Sequence, residues 1–141
     1  MRLNVQTDYA LRLLMFLAAK REQASVDEIA NAYGISRNHL MKVAQRMAEL
    51  GYVDAKRGRG GGLTLARLPS QINVGAVVRS VENVSAFVEC FDKESNQCPV
   101  SGVCGLQGAL ASALGDFMAR LDGYSLADLL PSPQKFATRL A

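Results

Sequence analysis

Two serines and two glycines in the first half of the chain constrain its fold more than any other feature. Ser25-Val26-Asp27-Glu28 is a capping box, and it opens a helix through Ile29 and Ala30 to about Tyr33. Gly34 breaks that helix, Ser36 caps another, and Gly51 stops it. Within the second helix Leu40, Val43, Ala44, Met47 and Leu50 recur at helical spacing and form a stripe to be buried. The rest of its surface carries Arg37, Asn38, His39, Lys42, Gln45 and Arg46. A short helix, a glycine turn and a capped helix with a polar, basic outer face make a helix-turn-helix pattern. In that geometry the N-terminal end of the second helix enters the major groove of double-stranded DNA. Ser36, Arg37, Asn38, His39, Lys42 and Arg46 are then the candidate contacts. Asn38 and His39 are placed for base edges, Lys42 and Arg46 for phosphates. The alternative is an ordinary solvated face on a small helical bundle.

The next stretch favours DNA. Residues 52–56 and 63–67 both suit short strands, and Arg57-Gly58-Arg59-Gly60-Gly61-Gly62 lies between them. A hairpin with a glycine-rich tip, placed directly after a recognition helix, is a wing. Arg57 and Arg59 on its tip can reach backbone or minor groove. The pattern argues against a phosphate-cradling nucleotide loop, because the glycines precede a strand and lack a Gly-Lys-Ser/Thr ending.

Residues 8–20 predict an amphipathic first helix on Leu11, Leu14, Met15 and Ala18, with Asp8 in a first turn where the helix dipole favours a carboxylate. Asn73 can cap a short helix through Val81. Leu106, Leu110, Leu114, Phe117 and Leu121 predict a long helix ending near Gly123. So long a helix, following a complete winged unit, has little left to bury against in its own chain. Dimerisation is therefore expected of it, a monomer core helix being the alternative. Ser125 to Asp128 caps one more turn, and the tail from Pro131 is expected to be loosely held. The expected fold class is mainly α with a small β-hairpin wing, a winged helix-turn-helix plus a C-terminal dimerisation helix. It divides one compact domain into a DNA-binding region 1–82, a cysteine loop 83–105, and a dimerisation helix and tail 106–141.

Charge agrees with this order. Residues 1–70 carry 11 Lys/Arg against 6 Asp/Glu, a balance of +5, while residues 71–141 carry 5 against 7, a balance of −2. No run is long enough to span a membrane, and no signal-peptide pattern is present, so no membrane partner and a cytoplasmic location are expected. One histidine with no Ser or Cys partner, and no convincing carboxylate pair, argue against an enzyme.

All three cysteines, Cys90, Cys98 and Cys104, fall in one polar stretch punctuated by Pro99 and Gly102. Three soft donors in one loop suit a metal centre better than a core. The spacing C-x7-C-x5-C is not that of a zinc ribbon. A cubane iron–sulfur cluster needs four external ligands, so three thiolates leave a fourth position open or filled by another residue type. Three free thiols acting as a redox switch is the other reading.

With these residues together, the sequence resembles the Rrf-type iron–sulfur transcription regulators over nearly its whole length. The resemblance is carried by Met1-Arg2-Leu3, Thr7-Asp8-Tyr9-Ala10-Leu11-Arg12, Ile35 to Val43, the wing from Arg57 to Leu63, the three cysteines, and Leu126-Ala127-Asp128-Leu129-Leu130. It implies a homodimeric DNA-binding regulator with one [4Fe-4S] cluster per subunit, or [2Fe-2S] in some preparations. Cys90, Cys98 and Cys104 would be ligands, and Asp8 of the partner subunit the fourth. The acidic residue at position 8 resembles the nitric-oxide-sensing repressors of the family. The long first cysteine interval also resembles its iron-responsive members, and redox-responsive regulation within the family is a further alternative.

Overall fold

Asn4 starts the fold: its side chain accepts a hydrogen bond from the Gln6 N–H at 2.8 Å and caps α1 (Val5–Lys20). A computed structural model describes all 141 residues. The helix begins three residues before the apolar periodicity does, because the cap and not the stripe sets its start. It is the central element, and the helices Arg37–Glu49, Val74–Val81 and Pro133–Leu140 all pack on it. Ala10, Leu13, Leu14 and Leu17 are fully or almost fully buried there.

The helix-turn-helix forms as the punctuation dictates. The Ser25 hydroxyl accepts from Glu28 N–H at 3.1 Å and starts α2 (Val26–Tyr33), which Gly34 ends at φ +65°. The Ser36 hydroxyl accepts from His39 N–H at 3.3 Å and starts α3 (Arg37–Glu49). Leu40, Val43, Ala44 and Met47 are buried as expected, and Leu50 is half-buried. The wing is β1 (Val53–Lys56) antiparallel to β2 (Gly62–Leu65), with Val53 opposite Leu65 and Lys56 opposite Gly62. A further bridge joins β2 to the loop before α2. Ala24 N–H donates to Leu63 O at 3.0 Å and Leu63 N–H to Ala24 O at 2.7 Å.

Asn73 caps α4 (Val74–Val81) through the Ala76 N–H at 2.9 Å, and the same amide donates to Asp122 O at 2.8 Å. Asp122 ends α5 (Gly105–Asp122), and its carboxylate holds Arg79 of α4 by two bonds, one at 2.7 Å. The Arg79 bond holds the Asp122 carboxyl below the usual range. The two helices cross at Gly75, where a Cβ would run into that carboxylate and lie 3.0 Å from the Asp122 nitrogen. Along α5 only Met118 is buried, while Leu106 and Phe117 are 64% and 43% exposed. No helix is long and apolar enough to cross a membrane.

The tail corrects the expectation of a loosely held segment. Leu126 and Leu130 are buried in the same core as α1, which returns the chain to the reader. Pro133 then opens α6 (Pro133–Leu140), whose Phe136 and Leu140 pack on that core. An amphipathic eight-residue helix would not hold alone, but here α1 supplies the surface it needs.

Candidate functional site

Two groups of residues stand out. The first is the outer face of α3 with the wing. Ser36, Arg37, Asn38, His39, Lys42 and Arg46 are all exposed, as are Arg57 and Arg59. Two of these cations are partly spent inside the chain: Arg37 pairs with Asp27 of α2, and Arg46 lies 3.4 Å from Glu49. The His39 ring sits 6.4 Å from that of Tyr9 on α1. Asn38 and Lys42 project from the helix without such ties. Met41 and Gln45 stand on the same helix outside the candidate contacts expected from the sequence. Both are exposed, and their signal is the i, i+4 spacing Arg37, Met41, Gln45 on one flank of α3. At the wing tip Gly58 and Gly60 take φ +89° and +70°, and the Gln23 side-chain amide donates to the Gly60 carbonyl. The arginines thus project from a tip anchored to the loop before α2.

The second group is the thiol segment between α4 and α5. Cys90, Cys98 and Cys104 are free and half-buried. Local hydrogen bonds give the segment its shape. Asn96 Oδ1 accepts from Cys98 N–H at 2.9 Å, and its amide donates to Ser101 Oγ at 2.8 Å. Asp92 accepts from Ser95 Oγ at 2.6 Å and Glu94 N–H at 3.1 Å, and the Ser95 bond above all holds its carboxyl below the usual range. Gln107 of α5 accepts from Gly102 N–H at 3.2 Å and donates to Cys90 O at 3.3 Å, which ties the first cysteine to the first turn of α5. Cys104 is the N-cap residue of α5, with no side-chain hydrogen bond to the helix's first turn. The donor set fits a soft iron centre by its chemistry: three unpaired thiols on one short segment, with no fourth cysteine in the chain. The protomer alone does not gather three metal-binding side chains around one point.

Asp8 stands in the first turn of α1. Its carboxylate takes a bidentate pair from Arg12, at 3.0 and 2.8 Å. Arg12 in turn lies 5.8 Å from the centres of both the Tyr9 and Tyr33 rings. The Asp8 bond raises the guanidinium pKa, and burial pushes Tyr33 up to about 12. Arg12 was not foreseen beside Asp8, although the i, i+4 spacing was its signal. One residue earlier, Thr7 is fully buried and donates to Glu82 Oε2 at 2.7 Å, and Asn4 N–H donates to the same oxygen at 2.9 Å. Glu82 closes α4 where the thiol segment begins. The turn bearing Asp8 is therefore latched to the start of that segment.

The chain is 49% identical over 136 residues to the HTH-type transcriptional regulator NsrR of Bacillus subtilis, covering 95% of this chain and 93% of that one. It is 46% identical over 132 residues to the protein of the same name from Bacillus licheniformis, covering 92% of each. Among solved structures, T. potens IscR superposes with a TM-score of 0.73 at 24% identity, over 96% of this chain and 90% of that one, which establishes the fold. Residues 3–132 match the Rrf2 family, described as iron-dependent transcriptional regulators. The chain belongs to this family: it is a DNA-binding transcriptional regulator and not an enzyme.

Proposed function

We propose that this regulator is a cytoplasmic repressor that binds an operator in double-stranded DNA as a homodimer and senses nitric oxide through an iron–sulfur cluster. Cys90, Cys98 and Cys104 would hold a [4Fe-4S] cluster, with Asp8 of the partner subunit as the fourth ligand. The observation that carries this reading is the set of three free thiols on one segment, bounded by the Glu82 latch on one side and the first turn of α5 on the other. The identity to the Bacillus regulators named NsrR supports the nitric-oxide branch.

A bound cluster held by Cys90, Cys98 and Cys104 would supply iron as the group reactive toward nitric oxide. The chain supplies the rest. Gln107 sets Cys90 against α5, Glu82 sets Thr7 and hence the turn of Asp8, and Tyr9 in that turn touches His39 of α3. These packed groups run from the thiol segment to the N-terminal end of the recognition helix. A rearrangement of the segment can therefore tilt α3 against DNA, and the operator affinity falls.

The test is anaerobic purification with iron and sulfide counts, followed by nitric oxide titration read by absorbance and by gel shift on the DNA upstream of the gene. A brown protein whose shift is lost on titration is the expected result. A colourless, iron-free protein that shifts the same DNA points to a thiol switch instead. An iron-responsive regulator is the second reading, favoured by the family's own description. It requires the shift to follow iron supply and to survive nitric oxide.

A further inference from the structure

One apolar side chain of α3 lies outside the core, among the polar groups of the helix's outer face. Met41 is 37% exposed, whereas Leu40, Val43, Ala44 and Met47 on the same helix are buried in the core. It lies between Arg37, one turn before it, and Gln45, one turn after. Arg37 is occupied by Asp27 of α2. Gln45 is exposed and stands in line with Met41 along the helix. An exposed thioether beside a free amide, on a helix otherwise dressed with polar groups, matches the two features by which an A·T pair differs from the other base pairs in the major groove. One is the thymine 5-methyl group, which takes an apolar contact. The other is the adenine N6/N7 edge, which takes a bidentate glutamine.

We propose that Met41 and Gln45 form the A·T-selective flank of the recognition helix, with Met41 packing on a thymine methyl and Gln45 on an adenine edge. The inference rests on the reading of α3 as the major-groove helix and adds to it the base type that this flank selects. One helical turn spans about 5.4 Å along the axis, so the two side chains reach the same or the next base pair at the ~3.4 Å spacing of bases. His39 and Arg46 lie on the other flank, against α1 and Glu49 respectively, so the two flanks make different contacts.

Deoxyuridine tests the methyl contact directly, because it differs from thymine only by that group. The full-length chain, purified anaerobically, selects a duplex from a random pool, and each thymine of that duplex is then replaced in turn by deoxyuridine. Wild type is expected to lose about fourfold in affinity at one thymine of each half-site, the value of one buried methyl group. Met41→Ala is expected to lose a similar factor on the thymine duplex and to show no further loss on the deoxyuridine duplex. Met41→Leu is expected to keep the discrimination. Gln45→Ala is expected to relax the preference for adenine at the same or a neighbouring pair, measured by repeating the selection. If Met41→Ala still separates thymine from deoxyuridine as wild type does, or if wild type separates them nowhere, the inference is wrong. Asn38→Ala and Lys42→Ala are measured alongside. If they weaken binding while Met41→Ala does not, only this inference fails. If none of the three matters, the placement of α3 in the groove fails with it. Because Met41 is exposed, a melting curve matching wild type is expected for its variants.

Discussion

Asp8 carries two possible roles that differ in what the side chain touches. Within the protomer it is a half-exposed partner of Arg12 at i, i+4 spacing. Such a pair contributes only about 0.3–0.5 kcal/mol, since solvent screens it and two side chains must be ordered. Asp8→Ala is therefore expected to lower the stability of the cluster-free chain by no more than about 0.5 kcal/mol in urea titration. Its expected effect on the loaded protein is larger in kind. A carboxylate is a harder donor than thiolate and the bond most easily exchanged, so its loss should alter the anaerobic absorbance, the nitric oxide titration and the operator affinity. Wild-type behaviour in all three would remove Asp8 from the ligand set and leave it as the partner of Arg12. Freed from Asp8, Arg12 would still lie between Tyr9 and Tyr33, which keeps the local packing in place.

Among the elements, the wing and the α4–α5 crossing make separate demands. The wing is proposed to act on DNA through charge. Arg59 is exposed on a tip anchored at Gly60 by Gln23. Arg59→Ala is expected to weaken binding on matched and scrambled duplexes alike. If it meets one phosphate, the slope of log affinity against log salt falls in magnitude by about 0.9. An unchanged slope would place Arg59 away from the backbone. The crossing acts on stability. A methyl group at Gly75 meets the Asp122 side chain, which two bonds to Arg79 hold in place, and also the Asp122 backbone. Gly75→Ala is expected to destabilise the fold by about 1–3 kcal/mol through overpacking, although alanine is the better helix former. Urea unfolding decides it, since a stabilised variant would mean that α5 gives way freely.

For the whole molecule the open question is what covers α5. Its end is anchored to α4 by Asn73 and Arg79, yet most of its length, including Leu106 and Phe117, faces outward. The small residues Gly108, Ala109, Ala111, Ala113 and Gly115 between them are exposed and offer close approach to another helix. With the dimer as proposed, the chain sediments at twice 15.2 kDa. Phe117→Glu is expected to shift it to the single mass and to weaken operator binding by at least tenfold, because two half-sites are then no longer read together. The protomer should keep its helical circular dichroism, since Phe117 lies outside the core. A wild-type chain sedimenting at the single mass would overturn the dimer.

Local signals determined the reader. Ser25, Gly34, Ser36 and Asn73 each act on backbone groups within four residues, so caps and breaks appear in the structure where the sequence placed them. The buried stripe of α3 and the wing strands followed for the same reason, since helical and strand periodicities are short-range. What the sequence could not settle depends on partners far along the chain. The tail looked unsupported until α1 and the core leucines at 126 and 130 gave α6 a surface to dock on. The Thr7–Glu82 bond joins residues 75 apart, and nothing in either neighbourhood announces it. The anchoring of the wing through Ala24 and Gln23 is likewise non-local. Three cysteines in one stretch announced a thiol site, but their spacing cannot state how the side chains stand in space, and the folded protomer leaves them ungathered. Sequence alone thus determined where elements start, stop and turn a face inward, because those choices rest on neighbouring residues. Tertiary structure alone decided what the tail packs on, which turn is latched to the thiol segment, and which cations remain unpaired, because each of these depends on contacts between distant parts of the chain.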